Sequence, residues 1–342
     1  MWDKNLPNNA QSFSAPFRVS PSFTPQTRTP WGGRRIAQMR GLAPQVIGEA
    51  WEVSSDERFP SRVEGGATLR SVLDAQPALL GERDGLQLLV KVLDAAAPLS
   101  VQIHPSDDDP ALASDESGKP ELWYVTAHEP GACLFIGLAP GADESTMRAA
   151  LAADAGVDAL LNRVEVSVGD VFVVPPGTPH ALGAGVTLVE PQRVQDGRRG
   201  LTYRYWDWGR RFDEKGEPDP EGKPRELHVE RAIAVTDWDA ARGEAGLVSL
   251  RLKDERKPGA RRLCGPAGED GALPFPWLEL HRWQGPCEVE VDAARHLRAL
   301  HVCEGEVHFG DRVARAHESW IVPAGISSKA RVQGTALLTH VC

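Results

Sequence analysis

The sequence has no long hydrophobic run, few cysteines and no excess of positive charge. No stretch of its 342 residues approaches the roughly 20 consecutive apolar residues that a membrane span requires. The opening segment, MWDKNLPNNAQSFSAPF, has no apolar core of the signal-peptide type, and we expect residues 1–14 to form a mobile tail. The sequence therefore contains no recognisable membrane span and no signal-peptide pattern.

Cysteine usage and net charge narrow the possible functions further. The five cysteines are widely spaced and form no CxxC pair, so the sequence predicts neither a thiolate zinc site nor a disulfide framework. We therefore expect a reducing, cytoplasmic location. The formal net charge of −10 disfavours nucleic acid as a partner. If the substrate is an anion, its site must collect local cations against the field of the whole chain.

Short strands joined by turns dominate the predicted secondary structure. The chain contains 33 glycines and 27 prolines, and strand-like runs recur along its length, which favours a β-sandwich or barrel. One helix is predicted over 142–162, with Asp143 or Ser145 as its N-cap. A charged segment rich in Gly and Pro, at 253–276, is typical of a long loop or a linker.

We predict two β domains, a catalytic metal-binding domain at 15–240 and a smaller one at 245–342. A weak internal repeat supports this division, because GDVFVVPPGTPHAL in the first domain is similar to HESWIVPAGISSKA in the second. His180 of the first copy corresponds to Ser328 of the second. We therefore expect one strand–turn–strand unit in each domain and a metal in the first domain only.

Three segments offer side chains that bind divalent metals. In VQIHP, Gln102 and His104 lie two apart on a predicted strand and so face the same side. In GKPELWYV, Lys119 and Glu121 have the same spacing, and His180 follows a tight Pro-Gly turn. Two imidazoles, one carboxylate and one amide oxygen favour zinc, and iron, manganese and cobalt also suit such ligands. Each residue alone has an ordinary structural explanation, so the prediction depends on their combination.

The turn before His180 carries a known family pattern. Gly169, Pro175, Gly177 and His180 reproduce the cupin motif G-x5-P-x-G-x2-H without a mismatch. The flanking segments narrow the resemblance to type I mannose-6-phosphate isomerases, in their short bacterial form. The similar segments, in chain order, are WGGRR, IGEAWEVS, LLVKVLDAAAPLSVQIHPSDDD, GKPELWYV, LTYRYWDWGRR and GKPRELHVERA.

This resemblance implies a mainly β fold with few helices. The expected architecture is a cupin barrel (a jelly roll, or double-stranded β-helix) followed by a smaller, degenerate cupin-like domain without metal. The implied activity is metal-dependent interconversion of mannose 6-phosphate and fructose 6-phosphate through an enediol, with one Zn²⁺ per chain. The zinc ligands that the resemblance implies are Gln102, His104, Glu121 and His180.

The resemblance also implies residues around the substrate. Arg204 would be the active-site arginine, with structural pairing to Asp207 or Glu190 as the alternative. Lys91 would lie near the substrate, with a solvent-exposed strand end as the alternative. The general base is left open between Glu190, which we favour, a metal-bound water and a lysine. The residues expected near the sugar phosphate are Ser100, Lys119 and Lys91.

The segment that leads to Arg204 departs from the family, where it often reads ExxxxSDxTYR. Here it reads EPQRVQDGRRGLTYR, so that four additional residues, 197–200, follow Asp196. Arg198 or Arg199 in this insertion could bring further positive charge to the site.

Two other classes of function suit a metal cupin. A cupin oxygenase commonly uses three histidines, or two histidines and a carboxylate, to hold iron; the amide of Gln102 and the cations Lys119 and Arg204 argue against it. A non-catalytic sugar-binding or regulatory cupin is disfavoured by the complete ligand set. The expected partner is a small sugar phosphate, with no nucleic acid or membrane, and the expected assembly is a monomer or homodimer.

Overall fold

The computed structural model describes residues 13–342, so the tail predicted at 1–14 lies outside the described residues except for its last two positions. The described chain is mainly β, with short helices between the strands. None of the helices described is long and apolar enough to cross a membrane.

The strands of the first part of the chain extend to residue 206. They are β1 (Phe17–Ser20), β2 (Ser22–Phe23), β3 (Glu49–Val53), β4 (Arg62–Val63), β5 (Leu88–Ala95), β6 (Val101–Ile103), β7 (Glu116–Ser117), β8 (Glu121–His128), β9 (Cys133–Leu138), β10 (Leu161–Glu165), β11 (Asp170–Val174), β12 (His180–Leu182), β13 (Val186–Arg193), β14 (Arg199–Gly200) and β15 (Tyr203–Trp206).

The remaining strands follow two helices. They are β16 (Arg251–Lys253), β17 (Gly259–Gly265), β18 (Leu273–Pro274), β19 (Leu278–Gln284), β20 (Cys287–Val291), β21 (Arg298–Phe309), β22 (Arg312–Arg315), β23 (Ser319–Val322) and β24 (Ser328–Val341). The α-helices are α1 (Arg35–Met39), α2 (Leu69–Ala75), α3 (Glu144–Ala152), α4 (Val229–Val235) and α5 (Gly243–Leu250). Short 3₁₀ turns occur at Pro77–Leu80, Asp158–Leu160 and Glu269–Gly271.

Two antiparallel sheets form the barrel that contains the predicted metal ligands. A seven-stranded sheet has the order β16-β11-β8-β13-β5-β3-β2, and a five-stranded sheet has the order β10-β9-β12-β6-β15. A buried apolar cluster takes residues from both, such as Trp123 and Phe172 from the first and Ile136 and Leu182 from the second. The prediction of a mainly β cupin fold is confirmed.

A larger sheet is built mainly from the C-terminal strands. Its order is β18-β17-β19-β24-β21-β23-β1-β4, with β20 paired to β24 and β22 to β21. Strands β1 and β4 of this sheet come from the start of the chain. Conversely, β16, which follows the predicted division, pairs antiparallel with β11 of the barrel. The division at 15–240 and 245–342 stays a prediction, and these pairings show where strands cross it.

The predicted internal repeat corresponds to the same local structure in both halves. In the first copy β11, a turn and β12 follow each other, and in the second copy β23, a turn and β24 do so. Gly177 and Gly325 both adopt positive φ, at 82° and 72°, which an L side chain rarely tolerates. His180 opens β12 as Ser328 opens β24, so the two residues hold equivalent positions.

The helix predicted over 142–162 is shorter than expected. Asp143 caps α3 by accepting the N–H of Thr146, whereas the hydroxyl of Ser145 only donates to Asp143. The helix stops early because Asp154 and Gly156 adopt positive φ, at 51° and 76°, which helical backbone does not allow.

The segment predicted to be a loop at 253–276 also needs correction. It contains β17, which pairs antiparallel with β19 and buries Leu263 and Cys264. The sequence did not indicate this strand, because arginines and glycines flank its two buried apolar residues. Asp254, buried beside the strand, accepts two hydrogen bonds from the guanidinium of Arg282, so the two buried charges compensate each other.

Two of the family-like segments, at 31–35 and 47–54, meet through their glycines. A Cβ on Gly32 would lie 2.6 Å from the backbone nitrogen of Gly48 and 3.0 Å from the carbonyl oxygen of Thr29. The backbones can approach this closely only without side chains. This contact fixes the segment that precedes α1 against strand β3, whose residues line the cleft described below.

We expect Gly32→Ala to lower the free energy of unfolding by about 1–3 kcal/mol, because overpacking forces backbone to move. Thermal and urea unfolding would measure the change. Gly265→Ala is a suitable control, since its nearest atom would be the flexible carboxylate end of Glu279, at 3.1 Å. Equal stability of the Gly32 variant and the wild type would contradict this account.

Candidate metal centre

Three neighbouring strands of the five-stranded sheet place polar residues in one row. His180 on β12 is opposite Gln102 on β6, and Arg204 on β15 is opposite Gln102 from the other side. Residues directly opposite each other in antiparallel strands project to the same face. His104 follows β6 directly, and Glu121 begins β8 in the facing sheet. The row therefore meets Glu121 inside the barrel.

The two histidines and Glu121 form a compact group. One ligand atom from each of His104, Glu121 and His180 lies within 4.8 Å of the others, and all three residues are buried. The Nε2 atom of His104 lies 3.1 Å from Oε1 of Glu121, and Nε2 of His180 lies 3.7 Å from its Oε2.

Hydrogen bonds at the other ring nitrogens fix both imidazoles. Nδ1 of His104 lies 2.9 Å from the carbonyl oxygen of Leu201, and Nδ1 of His180 lies 2.8 Å from that of Thr178. A carbonyl can only accept, so Nδ1 carries the proton and Nε2 presents its lone pair. Burial lowers the pKa of His180 to about 3 and also lowers the pKa of His104, so both rings are neutral.

Two of these converging acceptor atoms have no donor. Nε2 of His104 and Oε2 of Glu121 are buried and have no hydrogen-bond partner among residues 13–342. An unpaired buried polar atom is costly, and lone pairs directed at a carboxylate repel it. A cation relieves both costs. The residues present therefore fit a divalent metal, and the geometry supports a metal cofactor.

Gln102 adds a fourth side chain to this point. Its Nε2 lies 3.3 Å from Nε2 of His180. Half a turn about the last side-chain bond exchanges the nitrogen and oxygen of the amide, which would direct an oxygen donor to the same point.

Lys119 keeps Glu121 ionised. Its Nζ lies 2.8 Å from Oε1 of Glu121, and both residues are buried. Burial alone would raise the pKa of Glu121, but the charge of Lys119 holds it well below its usual range. Lys119 is therefore bound to the metal-centre carboxylate and does not lie free in the cleft.

A second buried carboxyl lies beside this group. Glu190 accepts a hydrogen bond from Nε1 of Trp123 at Oε1, 3.0 Å, and one from Gln192 at Oε2, 2.6 Å. Burial, together with the negative charge of Glu121, raises the pKa of Glu190 to about 8. A carboxyl with a pKa near neutrality can both give and take a proton.

Gln192 joins the two carboxyls and was not among the predicted site residues. Its Nε2 also donates to Oε1 of Glu121, at 2.6 Å, so the two hydrogens of one amide serve two acids. The sequence carried a signal for it. Gln192 lies two positions after Glu190, and Trp123 two positions after Glu121, so each shares a strand face with a predicted residue.

Lys91 is 7% exposed, which excludes the alternative that it reaches solvent. Its Nζ lies 3.8 Å from Glu190 and 3.7 Å from Glu49, and 4.6 Å from the centre of the Trp51 ring. The ammonium therefore lies between two carboxyls and an aromatic face, where its charge is compensated inside the barrel.

Arg204 has no ion-pair partner within 4.0 Å in the described chain. Its Nε donates to the hydroxyl of Ser100, 3.1 Å, and its Nη1 to the carbonyl of Glu226, 2.5 Å. Asp207 binds Arg210 and Arg225 instead, so the structural alternatives for Arg204 do not occur. Burial, with the charge of Arg225, lowers the pKa of Arg204 to about 10, and the side chain stays cationic at neutral pH.

The motif after Arg204 positions Ser100. Nε1 of Trp208 donates to the carbonyl of Leu99, and Nη1 of Arg210 donates to that of Pro98, each at 2.7 Å. These bonds fix the backbone just before Ser100, which is itself 3% exposed. The tryptophan–arginine motif therefore acts on the site through the segment that it anchors.

A cleft of about 1090 Å³ opens onto this cluster. His104 and His180 are fully buried and do not line it. The predicted site residues that line the cleft are Lys91, Ser100, Gln102, Lys119, Glu121, Glu190 and Arg204. The structure thus brings all nine predicted residues to one place.

The fold and the site together define a metal-binding cupin. The family model for the phosphomannose isomerase type I catalytic domain matches residues 27–136. YvyI of Bacillus subtilis (strain 168), whose name assigns it provisionally as a mannose-6-phosphate isomerase, is 31% identical over 229 residues, which cover 64% of this chain and 67% of YvyI. The chain belongs to the type I phosphomannose isomerase family.

Other relatives match over a somewhat smaller share of their length. Mannose-6-phosphate isomerase ManA of Bacillus subtilis (strain 168) is 34% identical, over 60% of this chain and 64% of ManA. The mannose-6-phosphate isomerase of Streptococcus mutans is 35% identical, over 60% of this chain and 63% of that protein. The matched region thus spans less than two thirds of these two proteins.

Solved structures show the same fold over nearly the whole chain. The crystal structure of the mannose 6-phosphate isomerase from Bacillus subtilis superposes with a TM-score of 0.74, at 22% identity, covering 95% of this chain and 99% of that one. A mannose 6-phosphate isomerase bound with zinc and yttrium gives a TM-score of 0.67 at 16% identity, covering 96% and 100%.

We expect His104→Ala and His180→Ala to lose bound metal, because each change removes a ligand nitrogen. Removing even an outer partner of a ligand typically costs about 10–100-fold in affinity, and losing a ligand should cost more. Elemental analysis of the purified variants would measure metal content. His128→Ala, an exposed histidine, should keep the wild-type content. Full occupancy in both ligand variants would exclude this assignment.

Proposed function

We propose that this protein is a mannose-6-phosphate isomerase, which interconverts mannose 6-phosphate and fructose 6-phosphate through an enediol. Family membership supports the activity. The observation that carries the proposal is what meets at one cleft: a buried group of side chains that fits a metal, an arginine without an ion-pair partner among the described residues, and a carboxyl with a pKa near neutrality. A purified sample that converts fructose 6-phosphate to mannose 6-phosphate would establish it. Oxygen consumption without isomerisation would instead indicate an oxygenase.

We propose Zn²⁺, one per chain, as the metal. The side chains that would hold it are Gln102, His104, Glu121 and His180, of which the last three have converging donor atoms. When bound, such an ion supplies Lewis-acid stabilisation of negative charge on sugar oxygens. Metal removal by a chelator should abolish activity, and zinc should restore it.

Arg204 is proposed to stabilise the charge that develops in the reaction. Aldose–ketose interconversion moves a proton between C2 and C1, and negative charge appears on the oxygens of these carbons. A guanidinium stays charged throughout and can donate from fixed positions. The hydroxyl of Ser100 and the carbonyl of Glu226 hold it in place before the substrate arrives.

Glu190 is proposed as the group that moves the proton. One of its carboxyl oxygens would take the proton from one carbon and return it to the next. Its raised pKa suits both halves of that transfer, since an acid with a pKa near the working pH is neither too weak a base nor too weak an acid. Gln192 and Trp123 orient the carboxyl through the hydrogen bonds described above.

Lys119 and Lys91 are proposed to help bind the substrate. The ammonium of Lys119 lies on Glu121 and that of Lys91 near Glu190, so both would contact the substrate from the wall of the cleft. A cytoplasmic location and a monomeric or homodimeric assembly are also proposed, with neither nucleic acid nor membrane as a partner.

We expect Arg204→Ala to lower turnover on the order of a hundredfold or more, as removing an oxyanion donor does. Turnover and kcat/KM should fall equally, because the interaction is made mainly in the transition state. Lys119→Ala should instead mainly raise KM if the proposed contact of this lysine with the substrate is made in the ground state. Steady-state kinetics on both variants would test the contrast, which matters because each removes one positive charge from the same cleft. Normal turnover with a raised KM in Arg204→Ala would make it a binding residue.

We expect Glu190→Gln to lower turnover by about 10²–10⁴-fold, the usual contribution of a general acid or base. The substitution keeps the shape of the side chain and removes its ability to transfer the proton. Glu49→Gln is the matched control, since Glu49 contacts the same Lys91 from the other side and should lose much less turnover. Elemental analysis should show unchanged metal in both variants. Near-normal turnover of Glu190→Gln would move the search for the base to Lys91.

A further inference from the structure

The inserted segment 197–200 lies at the cleft and is held at both of its ends. Arg70 binds both carboxylate oxygens of Asp196, at 2.7 and 2.8 Å, directly before the insertion. At its end, β14 pairs in parallel with β7, and the N–H of Arg199 donates to the carbonyl of Asp115 at 2.8 Å. The insertion is therefore built into the wall of the cleft.

The last residue of the insertion contacts the metal centre's own lysine. A Cβ on Gly200 would lie 3.0 Å from Cδ of Lys119, whose Nζ is 2.8 Å from Glu121. Arg198 lies two residues before Gly200, and two extended residues span at most about 7 Å. Arg198 thus belongs to the same cleft, which it lines as an exposed residue.

Most cations that line the cleft already have a carboxylate within 4.0 Å. Arg198 has none among the described residues, and the one hydrogen bond of its guanidinium is a long contact of 3.5 Å to the carbonyl of Glu116. Two other cations that line the cleft also have no carboxylate within 4.0 Å among the described residues. Arg204 is held by Ser100 beside Gln102, and Arg28 lies against the rings of Trp51 and Phe59. Arg198 is therefore an exposed, uncompensated charge in the lining of the cleft.

We infer that Arg198 is the residue of this chain that recognises the phosphate group of the substrate. The inference rests on the proposed function. If the C1–C2 end of a sugar phosphate reacts beside His104, Glu121 and His180, the phosphate at its other end needs a separate cation. Lys119 does not supply it, because its ammonium is bound to Glu121. A guanidinium binds a phosphate in a bidentate manner. In a chain of net charge −10, an unpaired local cation is what attracts a dianion.

Arg198→Ala tests the inference with two substrates, fructose 6-phosphate and unphosphorylated mannose. We expect KM for fructose 6-phosphate to rise roughly ten- to a hundredfold with turnover little changed, because a binding interaction common to ground and transition states is lost. KM for mannose should not change. Arg198→Lys should recover part of the affinity. Arg163→Ala, an exposed arginine that does not line the cleft, is the matched control.

Two outcomes would overturn the inference: an unchanged KM for fructose 6-phosphate, or an equal rise in KM for both substrates. Failure of the proposed function is distinguishable, because then the wild type itself would show no isomerase activity. In that case calorimetric titration of the wild type and of Arg198→Ala with inorganic phosphate still decides the matter. Weaker phosphate binding by the variant would support the inference, and equal binding would exclude it.

Discussion

Three acceptor groups directed at one buried point are the constraint on which the rest of the site depends. Leu201 and Thr178 take the Nδ1 protons of His104 and His180, so both Nε2 lone pairs face Glu121. Without a cation this arrangement would be repulsive and would leave buried atoms unpaired. The arrangement therefore favours a positive charge inside the barrel. A divalent metal suits this point, because imidazole nitrogens and a carboxylate are ligands that such ions prefer.

The protonation states of the two buried carboxyls, Glu121 and Glu190, are set by the charges around this point. Glu121 must remain ionised although it is buried, and Lys119 makes this possible at 2.8 Å. Burial, together with the negative charge of Glu121 close by, raises the pKa of the second carboxyl, Glu190, to about 8. Gln192 donates to both acids and so fixes the two carboxyls relative to each other.

The two sheets of the barrel divide the work between them. The five-stranded sheet supplies the row His180, Gln102 and Arg204. Trp208, just after its last strand β15, anchors the backbone before Ser100. The facing sheet supplies the carboxyls and lysines. Most of these groups sit on strands, or just before one as Lys119 does, so hydrogen bonds along the sheets fix their positions. The inserted segment at 197–200 is fixed in the same way by the pairing of β14 with β7.

The sequence by itself indicated which polar side chains share a face, because period-two spacing and the Pro-Gly turn before His180 are local patterns, and the family resemblance implied that they are metal ligands. It also indicated strands that the structure contains. Only the tertiary structure decided that Gln192 joins Glu121 and Glu190, that Arg204 bonds Ser100 and not Asp207, and that β1 pairs with β23 about 300 residues away. These depend on the register between strands far apart in the chain, and no local pattern records which distant strand a residue will face.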